Sequence, residues 1–80
     1  MEPVTIYTTP TCSYCRMAKE FFTEHGVPYT EKNVLVDMAA REEMIQKSNQ
    51  RRVPVFVIGG EVLVGFTESK ELLKERLQLI

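Results

Sequence analysis

The segment VTIYTTPTCSYCRMAKEFF, residues 4–22, decides the fold because it joins a strand pattern, a loop and a helix pattern without interruption. Its first residues, Val4–Tyr7, are β-branched and aromatic, which favours a strand, and the TTPT segment that follows breaks this pattern. The loop presents Cys12 and Cys15 as a Cys-x-x-Cys pair at the start of a helix that is predicted over Ser13 to about His25. A dithiol therefore stands at a strand-to-helix junction.

The predicted first helix has one apolar and one charged face. Gly26 is placed to end it. His25 is expected to interact with the helix dipole rather than to act as a catalytic base, because it lies a helix away from the thiols. The residues at helical spacing that we expect in the core are Met17, Ala18, Phe21 and Phe22.

The rest of the chain predicts three more strands and two more helices. Asp37 and Thr67 are the expected N-caps of the two helices, and Gly59-Gly60 forms the tight turn of a hairpin. The predicted elements are, in order, a strand over Val27–Asn33, a helix over Met38–Ser48, strands over Val55–Ile58 and Glu61–Val64, and a helix that ends at about Leu79. The order β-α-β-α-β-β-α requires a right-handed parallel crossover and then an antiparallel pair. An α/β domain with a four-stranded mixed sheet and three helices follows.

Length and composition exclude several classes of protein. Eighty residues leave room for one domain, residues 1–80, and the 44% hydrophobic and 26% charged residues are close to the averages of globular chains. The formal net charge of −1 lacks the basic excess that nucleic-acid binding requires. The longest apolar run, Val53–Ile58, is far shorter than the roughly 20 residues of a membrane helix. We therefore expect neither nucleic acid nor a membrane as a partner.

The cysteine count points to redox chemistry in a reducing compartment. Two cysteines are too few for the disulfide framework of a small secreted domain, and the first residues show no secretory signal. A cytoplasmic location is therefore expected, where ordinary thiols stay reduced.

The position of the pair assigns a role to each thiol. Cys12 stands where unpaired backbone N–H groups and the positive end of the helix dipole favour an anion, so we expect it to be the nucleophilic thiolate. Cys15 is one helical turn further and is expected to resolve a mixed disulfide formed on Cys12. The neighbouring residues expected to tune this chemistry are Pro10, Thr11, Ser13 and Tyr14.

Two structural interpretations of the cysteines compete with the redox interpretation. A Cys-x-x-Cys pair is half of many zinc sites, but this chain offers only His25 as a further histidine or cysteine ligand. Two buried, inert thiols are the other alternative.

Three segments resemble the glutaredoxin family, and within it the small glutaredoxin-like redoxins. They are Ile6–Cys15 with its Cys-Ser-Tyr-Cys motif, Arg52-Val53-Pro54, and Val64-Gly65-Phe66. The resemblance spans nearly the whole chain. It implies a thioredoxin fold in which strands β1 to β4, numbered along the chain, are ordered β2-β1-β3-β4. It also implies a cis Val53-Pro54 bond that faces the cysteines, where a strand-edge proline is the simpler alternative.

The resemblance further implies glutathione as reductant or substrate. Thr9 stands where many glutaredoxins carry a lysine, and Gly65–Glu68 stands where many carry an acidic pair after Gly-Gly. Ser13 replaces the proline of the common Cys-Pro-Tyr-Cys motif, which frees an N–H group near the thiolate. One expected role of Arg51 and Arg52 is to bind a carboxylate of the ligand, and the alternative is that both are solvated loop residues. The expected glutathione or substrate contacts are Thr9, Arg51, Arg52, Val53, Pro54, Thr67 and Glu68.

The leading hypothesis is a monomeric dithiol thiol–disulfide oxidoreductase that acts on disulfide-containing or glutathionylated proteins. Its electron donor would be glutathione or a flavin disulfide reductase such as thioredoxin reductase. Under this hypothesis no bound metal is expected. One rival is a glutathione-dependent glutaredoxin that binds a [2Fe-2S] cluster through Cys12 of two subunits and serves as a carrier or sensor, which Ser13 motivates. The other rival is a non-catalytic scaffold, whose thiols would show no reactivity toward alkylating agents below pH 8.

Overall fold

Seven elements follow one another in the predicted order β-α-β-α-β-β-α across residues 3–77, the part of the chain that the computed structural model describes. The elements are β1 (Val4–Thr8), α1 (Ser13–Glu24), β2 (Thr30–Asn33), α2 (Met38–Ser48), β3 (Val55–Ile58), β4 (Glu61–Val64) and α3 (Phe66–Leu77). Within this range none of the helices has the length and hydropathy that crossing a membrane requires.

The described strands form one mixed sheet with the order β2-β1-β3-β4, which confirms the predicted topology. β1 pairs with β2 in parallel and with β3 antiparallel, and β3 and β4 form the antiparallel hairpin. β1 is therefore hydrogen-bonded on both sides, and the loop that carries the cysteines leaves from its carboxyl end.

Alternation along β1 divides the core between the two faces of the sheet. Ile6 packs with Phe22 of α1 and Leu73 of α3 on one face. Tyr7 packs with Met44 of α2 on the opposite face. The α1 helix is thus fixed against the sheet by aromatic residues, and its first residue is held at the edge where the cysteine loop ends.

The boundaries of two elements differ from the prediction. The second strand begins at Thr30 rather than Val27, since Val27 packs in the core and Pro28 has no N–H to donate to a ladder. The last helix begins at Phe66, so Thr67 lies in its first turn and is not its N-cap. The predicted end of this helix at Leu79 lies outside the described residues.

Met17 is also placed differently from the prediction. The buried stripe of α1 runs through Cys15, Ala18 and Phe22, at spacings of three and four residues. Met17 lies one position to the side of this stripe and is 45% exposed. Cys15 therefore takes the inward position at the start of the helix.

Candidate active site

Cys12 is the N-cap of α1 and lies at the end of a tight turn. Its own N–H donates to the Thr9 carbonyl oxygen at 3.3 Å, and its carbonyl oxygen accepts the Arg16 N–H at 3.2 Å. Its Sγ accepts the Cys15 N–H at 3.2 Å. The half-buried sulfur thus faces the positive end of the helix, where backbone donors stabilise negative charge.

Cys15 has the opposite environment. It is buried in the stripe that packs against the sheet. Burial first, and the hydrogen bond with Cys12 second, raise the pKa of the Cys15 thiol to about 12. In the reduced protein Cys15 is therefore a protonated thiol, while the accessible sulfur is that of Cys12.

The segment opposite the thiols is the Val53-Pro54 peptide bond, which is cis as the resemblance implies. The Val53 carbonyl oxygen lies 3.8 Å from the Cys12 Sγ. The Pro54 carbonyl oxygen accepts the Gly65 N–H at 2.9 Å, which ties this loop to the start of α3. Cys12 therefore lies against the backbone of the Val53-Pro54 loop, which is hydrogen-bonded to the start of α3.

A cavity of about 470 Å³ opens on one side of Val53. Exposed Tyr14 and buried Phe66 provide its aromatic surfaces, as part of a lining of Tyr14, Arg52, Val53, Pro54, Gly65, Phe66, Thr67 and Glu68. This set contains four of the predicted ligand contacts besides Val53 itself. The structure therefore brings the proline loop and the start of α3 together beside Cys12.

An ion pair crosses this cavity. Arg52 Nη2 donates to Glu68 Oε2 at 2.7 Å, and both side chains are exposed. The pKa of Glu68 is lowered, first by a hydrogen bond from its own backbone N–H and then by Arg52. Gly65 has φ of +83°, in the left-handed region that favours glycine, and a Cβ there would lie 2.5 Å from a Glu68 carboxylate oxygen, so a larger residue would also have to displace the exposed Glu68 side chain.

A second cavity of about 330 Å³ lies on the other side of Val53. Its lining comprises Thr9, Val34, Leu35, Met38, Arg41, Met44, Arg51 and Val53. The predicted ligand residues are thus divided, because Thr9 and Arg51 lie here while Arg52, Thr67 and Glu68 lie in the first cavity. Pro10, Thr11 and Ser13 are exposed and line neither of these two cavities.

Sequence reasoning missed a polar cluster that joins β1, β2 and α1. Buried Thr8 donates through Oγ1 to Glu31 Oε2 at 2.7 Å, and Lys19 Nζ donates to the same oxygen at 2.9 Å. These two bonds, that from Thr8 first, lower the pKa of Glu31. Only the spacing of Lys19 one turn after Cys15 was visible in the sequence, since the position of Glu31 depends on the pairing of β1 with β2.

His25 lies at the opposite end of α1 from the thiols. It is the C-cap of the helix, and its ring Nδ1 is 2.9 Å from the Phe21 carbonyl oxygen. The ring also packs against Phe21 at a centroid distance of 4.5 Å. This geometry separates His25 from Cys12 and Cys15 and does not support a zinc site shared by the three residues.

A Cys-x-x-Cys motif at the start of α1, facing a cis proline on this mixed sheet, defines a thiol protein of the thioredoxin fold. A solved structure of the thioredoxin-like protein BC3987, mutant T8A, superposes with a TM-score of 0.90 at 34% identity and covers 100% of both chains. A buckwheat glutaredoxin–glutathione complex superposes with a TM-score of 0.76 at 26% identity over 98% of this chain and 72% of that chain.

The sequence comparison narrows the class further. The family profile described as Glutaredoxin matches residues 4–63. A glutaredoxin of Neisseria meningitidis is 42% identical over 77 residues, which cover 94% of this chain and 89% of the relative. The chain belongs to the glutaredoxin family.

Proposed function

We propose that this protein is a dithiol oxidoreductase that reduces protein disulfides and mixed disulfides between proteins and glutathione. Family and fold support thiol–disulfide exchange. The observation that carries the dithiol mechanism is the unequal environment of the two sulfurs, since Cys12 accepts the Cys15 N–H at 3.2 Å at a helix N-terminus and Cys15 is buried beside it.

In the first step the Cys12 thiolate attacks one sulfur of the substrate disulfide. The bond between Cys12 Sγ and that sulfur forms while the substrate S–S bond breaks, and the second substrate sulfur leaves as a thiolate that takes a proton from water. The N-terminal N–H groups of α1 stabilise the anion before attack. The Val53 backbone beside Cys12 limits the directions from which the substrate approaches.

In the second step Cys15 loses its proton to solvent and attacks Cys12 Sγ. The Cys12–Cys15 disulfide forms, the mixed disulfide breaks and the substrate leaves as a second thiolate, which is protonated. The substrate has gained two electrons and the protein has lost two. Burial disfavours the Cys15 thiolate, so this step requires the buried thiol to lose its proton first.

The oxidised protein is returned to the dithiol by a two-electron donor. Two glutathione molecules would supply these electrons and leave as glutathione disulfide, or a flavin disulfide reductase would supply them. The complex of the buckwheat relative with glutathione supports the first donor. The cationic side chains of Arg51 and Arg52 on the two sides of Val53 are suited to the carboxylates of glutathione.

The test is NADPH-linked reduction of a glutathionylated protein with the purified chain. Glutathione plus glutathione reductase is compared with thioredoxin reductase alone, which identifies the donor. The Cys12→Ser variant is expected to lose activity with either donor, and Cys15→Ser to accumulate a mixed disulfide that mass spectrometry detects. Full activity of Cys12→Ser would exclude the proposal.

A further inference from the structure

The Gln50 side chain is paired with the backbone of a residue two positions further along the chain. Its Oε1 accepts the Arg52 N–H at 2.6 Å, and its Nε2 donates to the Arg52 carbonyl oxygen at 3.1 Å. These are the two hydrogen bonds that a neighbouring residue in an antiparallel sheet would form with Arg52. Because a backbone N–H can only donate and a carbonyl oxygen can only accept, the two bonds also fix the orientation of the amide.

The Gln50 amide is in turn held by the end of α2. Its Nε2 also donates to Ser48 Oγ at 3.1 Å, and this hydroxyl donates to the Met44 carbonyl oxygen at 2.6 Å. Asn49 is the left-handed C-cap of α2, with φ of 58°, and turns the chain between the helix and Gln50. The half-buried amide therefore connects the last turn of α2 to the loop that carries the Val53-Pro54 bond.

The bond to the Arg52 carbonyl oxygen determines the direction of the next N–H group. The Arg52–Val53 peptide is trans, and in a trans peptide the C=O and N–H bonds point in opposite directions, so the Val53 N–H points away from Gln50. Within residues 3–77 this N–H has no backbone acceptor. A residue before proline favours an extended backbone, in which its N–H and C=O lie on the same side. The Val53 carbonyl oxygen is 3.8 Å from Cys12 Sγ, so the Val53 N–H lies on the side of the reactive sulfur.

We propose that Gln50 is a positioning residue for thiol–disulfide exchange, because it orients the Arg52–Val53 peptide so that the Val53 N–H and C=O are presented together beside Cys12. The residue that bears the substrate sulfur would accept the Val53 N–H and donate its own N–H to the Val53 carbonyl oxygen, as one hydrogen-bonded pair of an antiparallel ladder does. Without the Gln50 amide the Arg52–Val53 peptide is free to rotate, and this pair is lost. The inference rests on the proposed attack by Cys12.

The test compares three probes that release the same yellow thiolate when Cys12 attacks them. The first is a peptide whose single cysteine is blocked with thionitrobenzoate. The second is the same peptide with mercaptolactate in place of cysteine, so that an ester oxygen replaces the N–H that the Val53 carbonyl oxygen would accept. The third, the mixed disulfide of 2-mercaptoethanol with thionitrobenzoate, has no backbone. With the reduced wild-type protein, we expect stopped-flow rates about fivefold lower for the ester than for the peptide, since one hydrogen bond is lost.

A neutral substitution then tests the role of the amide. Gln50→Met keeps the length of the side chain and removes both hydrogen bonds to Arg52. We expect it to slow the peptide probe about tenfold, to leave the 2-mercaptoethanol probe within about twofold, and to abolish the difference between peptide and ester. Gln46→Met makes the same change at an exposed position of α2 and should leave all three rates within about twofold of the wild-type values.

A second variant separates the two hydrogen bonds. In Gln50→Glu the carboxylate still accepts the Arg52 N–H but has no hydrogen to donate to the Arg52 carbonyl oxygen. We expect the same loss with the peptide probe as in Gln50→Met, because the bond to that carbonyl oxygen orients the peptide. Gln46→Glu is the control for the added charge.

Three results would overturn the inference while leaving the proposed function intact. They are equal rates for peptide and ester in the wild-type protein, an equal loss with all three probes in the Gln50 variants, and an undiminished difference between peptide and ester in those variants. The second of these would show that Gln50 serves only the stability of the fold. A wild-type protein with an intact Cys12 thiol that attacks none of the three probes would instead contradict the proposed function.

Discussion

Cys12 and Cys15 show how the backbone differentiates two identical side chains. The first caps α1 and receives an N–H hydrogen bond, whereas the second is turned into the core by its position in the buried stripe of the helix. The difference arises from a spacing of three residues, which places one sulfur before the helix and the other within its first turn. The proposed order of the two chemical steps rests on this difference.

We predict that iodoacetamide at pH 7 modifies Cys12 and leaves Cys15 unmodified. With a pKa of about 12, the Cys15 thiolate is populated at about one part in 10⁵ at pH 7. The sites of modification would be identified by mass spectrometry after brief exposure. In Cys12→Ala, Cys15 should remain slow because its burial persists, and equal modification of both thiols would contradict the assignment of roles.

The Arg52–Glu68 pair predicts an effect on affinity. In Glu68→Gln, Arg52 loses its counter-charge and is available to a carboxylate of glutathione, so we expect the KM for a glutathionylated peptide to fall about threefold at low salt with kcat unchanged. Glu71→Gln, an exposed change on α3 outside the cavity, is the control. A rise in KM would show instead that the Glu68 carboxylate binds the ammonium group of the ligand.

At the scale of elements, the cluster of Thr8, Glu31 and Lys19 fastens α1 to two strands of the sheet. Thr8 ends β1, Glu31 belongs to β2, and Lys19 follows Cys15 by one turn. Hydrogen bonds from a buried hydroxyl and an ammonium group favour the carboxylate, so this contact depends on the charge of Glu31.

The cluster predicts a loss of stability in acid. The folded pKa of Glu31 is lowered, so its contribution is present above the unfolded pKa of about 4.3 and is lost as the pH falls through the folded pKa. Because the Glu31 side chain is 36% exposed, we expect Glu31→Gln to cost only about 1 kcal/mol at pH 7 and less at pH 3, measured by urea unfolding. Glu20→Gln, an exposed change on α1, should cost little at either pH, and a pH-independent cost for Glu31→Gln would contradict the prediction.

At the scale of the whole molecule, β1 organises the sheet because it is hydrogen-bonded to both β2 and β3. Ile6 and Tyr7 are buried on opposite faces of the sheet. In native-state hydrogen exchange we expect the amides of Ile6 and Tyr7 to exchange at least about tenfold more slowly than those of the edge strand β2. NMR would resolve the two groups, and faster exchange in β1 than in β2 would exclude this order of opening.

Much of the fold was predictable from the chain because its local signals agree with one another. The periodicity of Ala18, Phe21 and Phe22 and the Gly59-Gly60 turn each depend on neighbours in sequence, and the structure bears them out. The prediction that Met17 lies in the core was wrong, and the last helix begins at Phe66 rather than after an N-cap at Thr67. Both features depend on how α1 and α3 pack on the sheet.

The site was predictable only in part. The sequence pattern itself identified the two thiols, and the resemblance implied the cis Val53-Pro54 bond; the structure places Cys12 beside this bond. The contact of Glu31 with Thr8 and the union of Met38 and Arg41 with Thr9 in one cavity were not visible, because they join residues that are distant in the chain. Such contacts depend on strand register and on the position of α2, which one sequence does not state.

Val53 lines both cavities and separates their other lining residues from one another. A polypeptide that crossed Val53 would therefore contact different structural elements on its two sides. These are α3 on one side and the connection from β2 to α2 on the other. Substitutions in that connection would therefore alter one flank of the approach to Cys12 and leave the α3 flank unchanged.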